Sequence, residues 1–251
     1  MLVPKVARAF SRVASTNLAL LQDLSTGAPP PHGAVYTTYS QSAGRGQGSN
    51  HWHSSPGANL TLSLLLRPDR LTVNHLLALM QFVALAVADT VAVYLPTERI
   101  CLKWPNDVYV GRQKIAGILL QNGLRGTQVQ WAVAGIGLNV NERDFPEPLA
   151  RSATSLSQHL GKTQDLAAVQ TTLFDALSAR YELLATRRYS ELHGAYQERL
   201  YRRGEWVDFT VTATGERLRA RVEGVVPNGR LLVRTGDTTR QFAQQEVRWL
   251  V

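Results

Sequence analysis

The sequence predicts an α+β protein with a large first domain over residues 1–201 and a small all-β domain over residues 202–251. Three observations carry this. Strand-like and helix-like segments interleave through the first part of the chain, without internal repeats. From Glu205 onward the pattern changes to five short strands separated by turn signals. A length of 251 residues suffices for one large domain plus a small one, and 44% hydrophobic with 18% charged residues is a globular composition.

Ser15-Thr16-Asn17 precedes the apolar segment Leu18 to Leu24, as small polar residues do at a helix start. The proline-rich stretch Gly27 to Gly33 ends that helix, and Ala34 to Ser40 has the Val/Thr/Tyr content of a strand. Ser42 to Gly57, full of glycine, serine and asparagine, suits no regular element. Asn59 to Leu66 alternates as a strand, and Leu71 to Leu95 reads as a long, mostly buried helix. Short strands follow at Cys101 to Trp104 and Val108 to Val110, with a tight turn at Gly111-Arg112. Lys114 to Gln121 and Val129 to Val140 are two more, joined through Gly123 to Thr127. Leu166 to Arg187 and Tyr189 to Leu200 are helical. The last strands are Val207 to Thr212, Leu218 to Val226, Leu231 to Arg234, Arg240 to Ala243 and Val247 to Leu250, and a β-barrel is expected of them.

Cys101 is the single cysteine, so no internal disulfide forms and a reducing, cytoplasmic setting is expected. The start, MLVPKVARAF, lacks the apolar stretch of a signal peptide. The longest apolar run, Leu76 to Ala88, is interrupted by Gln81 and reads as too short for a bilayer, so no membrane is expected. A net charge of +8 could attract nucleic acid, but the basic residues are scattered. Residues 202–251 hold nine arginines against six acidic residues, too mild a stripe for a nucleic-acid footprint. Of the 27 basic residues only Lys5, Lys103, Lys114 and Lys162 are lysines. Two of the four, Lys103 and Lys114, sit eleven residues apart in one segment, which suggests that a compact ammonium is wanted there rather than a generic charge.

Four segments carry chemistry. In Ser40 to Leu60, Gly44, Gly46 and Gly48 frame Arg45; glycines let backbone N–H groups face an anion, and arginine adds several donors. This is not a P-loop, and by itself it could be a plain surface loop. Lys103-Trp104-Pro105-Asn106-Asp107 places a lysine, an amide and a carboxylate together: groups for phosphate and Mg²⁺, or else a hairpin corner with a packed tryptophan. Lys114-Ile-Ala-Gly117 puts a lysine among apolar residues, which is costly unless it meets an anion. Ala134-Gly-Ile-Gly-Leu-Asn-Val-Asn141 has glycines that admit a ligand close to a strand. Its Asn139 offers donor and acceptor to a purine edge.

Taken in order, these segments resemble biotin protein ligases. The matching residues are Ser15-Thr16-Asn17, Gln41 with Gly44-Arg45-Gly46 and Trp52, Gly57-Ala-Asn-Leu60, Lys103 to Asp107, Lys114 to Gly117, and Gly135-Ile-Gly137 with Asn139. The resemblance implies a mixed-sheet catalytic domain of the biotin/lipoate ligase type and a C-terminal SH3-like β-barrel. It implies ATP and Mg²⁺ as cofactors, biotinyl-AMP as intermediate, and a biotin carboxyl carrier protein as acceptor partner. Ser15, Thr16, Asn17 and Gln41 would hold the ring end of biotin, with Gly44, Gly117, Leu119 and Gly135 lining its pocket. Lys114, Arg45 and Lys103 would be the catalytic cations. Arg45, Gly46, Gln47, Trp52, Lys103, Asn106 and Asn139 would bind ATP, and Asp107 the metal.

Gln47 departs from an arginine-rich loop and offers only a neutral hydrogen bond. His51 and His53 are taken as loop residues, since two histidines make a poor metal site. Only fourteen residues precede Ser15, so no helix-turn-helix and no specific DNA binding are expected. A homodimer stays open. The competing activity is that of a lipoate or octanoate ligase or transferase, and a nucleic-acid-binding module is the reading from another class.

Overall fold

A computed structural model describes residues 1–48 and 50–250. The first domain holds seven strands: β1 (Lys5–Phe10), β2 (Ala34–Thr38), β3 (Leu60–Leu66), β4 (Ile100–Lys103), β5 (Asp107–Val110), β6 (Gln113–Arg125) and β7 (Gln128–Leu138). Their order is β1-β2-β3-β7-β6-β5-β4. β1 and β2 are parallel and the other neighbours antiparallel, so the sheet is mixed. β1 is absent from the sequence reading. It is an edge strand, exposed along almost its whole length, and so lacks the apolar alternation that marks a half-buried strand.

Five helices complete the picture: α1 (Thr16–Leu24), α2 (Leu76–Tyr94), α3 (Leu156–Leu160), α4 (Leu166–Ala185) and α5 (Tyr189–Glu198). α2 and its leading turn, Val73–Tyr94, are long and apolar enough to cross a membrane, contrary to the sequence estimate. The helix is instead the core of the fold, buried from Ala78 to Ala88 and packed against α4, α5 and the sheet. Apolar character all round marks a helix with neighbours on every side.

Side chains alternate across the sheet, and this alternation creates the site. Leu62, Leu64, Ala116, Ile118, Ala134 and Ile136 point into the core that holds α2 and α4. The residues between them, among them Thr61, Ser63, Gly117, Leu119, Gly135 and Gly137, belong to the opposite face. There α1 packs and a cavity lies open.

The remaining strands are β8 (Trp206–Val211), β9 (Arg217–Val225), β10 (Leu231–Thr235), β11 (Thr238–Phe242) and β12 (Val247–Leu250). They pair antiparallel in the order β11-β10-β9-β8-β12. Among the described residues β11 and β12 are the two ends of this sheet, so the expected barrel closure is not seen. The sheet is clamped to the first domain. Gln197 of α5 donates to the Val225 carbonyl and accepts from its N–H at 2.6 and 3.2 Å, and the Trp104 indole donates to the Gly229 carbonyl at 2.9 Å.

Candidate active site

A cavity of about 300 Å³ lies between the open face of the first sheet, the glycine-rich loop and β12. It has two chemically different ends.

One end is neutral and polar. Ser15 caps α1, accepting from the Leu18 N–H. Thr16 shares a hydrogen bond of 2.8 Å with Ser63 on β3, and its backbone N–H donates to Gln41 Oε1 at 3.0 Å. Asn17 lies over Gly135, where an added Cβ would come within 3.0 Å of Asn17 Nδ2. Asn17 is buried, and neither amide atom has a protein partner among the described residues. A buried primary amide with both atoms free is costly unless a ligand completes it.

The other end is cationic. Lys114 Nζ lies 2.7 Å from Asp107 Oδ1, close in distance but off the hydrogen-bonding direction of that oxygen. It also sits 5.6 Å from the centre of the Trp52 ring. Lys103 donates to the Tyr109 hydroxyl at 3.1 Å, and burial, only partly offset by Asp107, lowers its pKa to about 8. Asn106 donates to the Ile118 carbonyl at 2.7 Å, which fixes the corner before β5. Arg45 is exposed and lines the cavity through the loop, with no ion pair among the described residues. Trp52 closes the loop over the sheet. Its ring lies against Gly137, where an added Cβ would fall 2.2 Å from the indole, and against Gly117, where the corresponding distance is 3.1 Å. Those two glycines thus admit a side chain of the protein itself, a use the sequence does not announce.

Three of the expected site residues have protein neighbours that the sequence does not foretell. Asn139 is buried beside the cavity rather than among its lining residues; its Nδ2 donates to the Thr154 carbonyl at 3.0 Å, while its Oδ1 has no protein partner among the described residues. Gly44 is also set back: a Cβ there would strike the Trp52 carbonyl and the Gln41 amide, so it makes room for residues that do line the cavity. Gln47 lines the cavity, but its side-chain amide donates to Gln244, between β11 and β12. Ser49, part of the same loop, lies outside the described residues.

Other residues were not found by sequence. Ser63 had no motif, and Arg248 and Trp249 of β12 line the cavity from the second sheet. Glu142 is buried beneath the end of the loop and accepts from Ser55 and Asn59. Among the described residues no three His, Cys, Asp or Glu side chains group to hold a metal, and Asp107 is the one carboxylate lining the cavity.

Comparison with known proteins agrees with this arrangement. The family model of the biotin/lipoate A/B protein ligase family matches residues 9–139. The biotin–[acetyl-CoA-carboxylase] ligase of Paracoccus denitrificans is 32% identical over 206 residues, 80% of this chain and 83% of that protein. The bifunctional ligase/repressor BirA of Bacillus subtilis is 30% identical over 220 residues, 86% of this chain. The match spans 66% of that relative's own length. Among solved structures, the biotin protein ligase of Aquifex aeolicus in complex with biotin and ATP superposes with a TM-score of 0.80. That likeness, at 24% identity, covers 96% of this chain and 97% of the other, and it shows the fold.

Proposed function

Because the chain belongs to the biotin/lipoate A/B protein ligase family, we propose that it activates biotin with ATP and passes it to a lysine of a biotin carboxyl carrier protein. One observation carries the reading: a single cavity holds a neutral end with the unpartnered amide of buried Asn17 and a cationic end with Lys114, Lys103 and Arg45. An uncharged cyclic urea suits the first end, and a carboxylate meeting polyphosphate suits the second.

In the first step a biotin carboxylate oxygen attacks the α-phosphorus of ATP. The new P–O bond replaces the bond to pyrophosphate, which leaves. In the second, a neutral lysine amine of the acceptor attacks the biotinyl carbonyl, an amide forms and AMP departs. Both steps build negative charge on oxygen, which fixed cations and N–H donors stabilise. Lys114 serves the reacting carboxylate, and Arg45 and Gly46 serve the phosphates from the loop. Lys103, Asn106 and Arg248 serve them from the opposite wall. Trp52, lying over Gly117 and Gly137, keeps water from the anhydride. Asp107, whose Oδ1 has no hydrogen-bond partner among the described residues, is the residue that would hold a Mg²⁺ here. When bound, Mg²⁺ would neutralise polyphosphate charge, and Asp107 would then divide its charge between the ion and Lys114.

Residues 1–201 are taken as the catalytic domain and 202–251 as a second domain that completes the cavity. We take the protein to be cytoplasmic, a reading supported by the lone, buried Cys101, which has no partner cysteine in the chain. The deciding experiment is ATP–pyrophosphate exchange with biotin, lipoate and octanoate in parallel. Exchange dependent on biotin and Mg²⁺ is expected; exchange with lipoate or octanoate alone overturns the choice of acid.

A further inference from the structure

Lys103 does not reach the cavity as a solvated side chain. It stands on β4 on the same face as Cys101, and three aromatic rings surround its ammonium. The ring centres lie 4.8 Å away for Tyr109, 5.8 Å for Tyr201 and 5.7 Å for Trp249. Tyr109 comes from β5, Tyr201 from the junction after α5, and Trp249 from β12 of the second sheet. The rings support one another: Tyr109 and Tyr201 are 5.2 Å apart, Tyr201 and Trp249 5.9 Å, and Phe209 of β8 backs Trp249 at 4.8 Å.

We propose that Trp249 is a positioning residue for Lys103: the second sheet supplies one wall of an aromatic cage that holds this ammonium at the cavity. An ammonium has three donors, and Tyr109 takes one. Aromatic faces attract the cation without accepting those donors in fixed geometry, and they displace the water that would otherwise compete for it. The cage thus leaves donors for a phosphate oxygen while limiting the sweep of a long flexible side chain. Arginine would not serve, because its flat guanidinium needs a wider slot, and lysine is the rarer choice in this chain. The consequence is a coupling between domains. The second sheet contributes to nucleotide binding through Lys103, and this rests on the reading that Lys103 meets ATP phosphates.

The test is a double-mutant cycle on ATP affinity, measured by calorimetry on the full chain with Trp249→Leu, Lys103→Ala and the pair. Leucine keeps apolar bulk at 249 but has no π face. Trp249→Leu should weaken ATP binding about tenfold when Lys103 is present and less than about twofold in the Lys103→Ala background, as coupled neighbours behave. Trp249→Phe, which keeps a ring, should recover most of that loss. Equal losses in both backgrounds, no loss at all, or a phenylalanine no better than leucine each overturns the proposal.

Should Trp249→Leu not fold, the four lysines permit a second reading by NMR of their ε-methylene groups. In the unmodified chain the ring currents should shift Lys103 upfield of Lys5 and Lys162, and Trp249→Phe should move the Lys103 signal while leaving those two in place. An unshifted Lys103 overturns the cage. Biotin-dependent exchange by the unmodified chain is measured separately: its absence removes the ligase reading, whereas the ATP cycle reads the coupling whichever acid is activated.

Discussion

Glu142 accepts two hydrogen bonds from Ser55, from the backbone N–H at 2.8 Å and from the hydroxyl at 2.7 Å. Asn59 adds a third at 2.8 Å. Ser55 ends the glycine-rich loop only three residues after Trp52, so Glu142 ties the loop's return leg to the segment following β7. Glu142→Ala leaves buried donors without partners, at about 1–3 kcal/mol for a first such group. The expected result is release of labelled biotinyl-AMP faster by about tenfold, because interactions that retain a ligand act mostly on the off-rate. Glu142→Gln should be much milder, since its amide can still accept from the Ser55 N–H and donate to the Ser55 hydroxyl. An unchanged release rate in Glu142→Ala would show that the loop does not depend on this anchor.

The same carboxylate sets a pH dependence. Burial pushes the Glu142 carboxyl up, but Ser55, Asn59 and the His53 side chain together outweigh it and hold the group below the ordinary carboxylate range. A carboxyl depressed by folding stabilises the folded protein above its unfolded pKa, and that contribution is lost as pH falls through its folded value. The melting temperatures of the unmodified protein and Glu142→Gln should therefore differ most near neutral pH and converge in acid, below the usual carboxylate range. A difference that is constant with pH contradicts this.

Gln47 marks where sequence reasoning stops. The ordered motifs were legible because lysine beside Trp-Pro-Asn-Asp, or glycines around one arginine, are chemically distinctive even without a fold. Helices α1, α2 and α4 and the central strands were legible from apolar periodicity. Partners brought together by tertiary structure were not. Trp249 looks like any aromatic of a small sheet, Glu142 like any acid in coil, and nothing in the sequence tells that Asn139 gives its Nδ2 to Thr154 and leaves its Oδ1 without a partner among the described residues. Gln47 likewise reads as a ligand contact until Gln244, nearly two hundred residues away, takes its amide. Gln47 is the donor in that contact, so an arginine there can still donate to Gln244 Oε1 and is held toward the second sheet. Gln47→Arg should therefore leave adenylate release within about twofold of the unmodified rate, because the donor to Gln244 is kept and no contact to the ligand is gained. Release slowed tenfold would mean that residue 47 turns to the ligand when the site is filled.

Lys114 is held by geometry that only a slim ammonium satisfies. Its Nζ lies 2.7 Å from Asp107 Oδ1 and 3.1 Å from the Cβ that Gly117 lacks, beneath the Trp52 ring. Lys114→Arg keeps the charge but brings a wide planar group into that space. Biotin-dependent pyrophosphate exchange should fall by at least about a hundredfold, the scale of losing one electrostatic contact to the reacting oxygens. The circular dichroism spectrum should stay unchanged. Exchange near that of the unmodified chain removes Lys114 from the reacting centre.

The two glycines under Trp52 separate the loop's seat from the ligand's. At Gly137 an added methyl would lie 2.2 to 2.7 Å from three atoms of the indole, a distance no packing tolerates, and the ring edge is too rigid to yield. At Gly117 the nearest atoms are Lys114 Nζ and the far edge of the same ring, both at 3.1 Å, so shifts of a few tenths of an ångström suffice. Gly137→Ala should therefore lift Trp52 from the sheet, and Gly117→Ala should not. Overpacking of this kind costs about 1–3 kcal/mol when the neighbours can move. Here the loop can move, so the cost should appear as loss of closure rather than of fold. Gly137→Ala is expected to melt near the unmodified temperature, to lose hydrogen-exchange protection around Trp52, and to release biotinyl-AMP about tenfold faster or more, as an off-rate effect. Gly117→Ala should keep the protection and instead lower the exchange rate through Lys114. Equal behaviour of the two variants would mean that Trp52 does not rest on this face of the sheet when the site is filled.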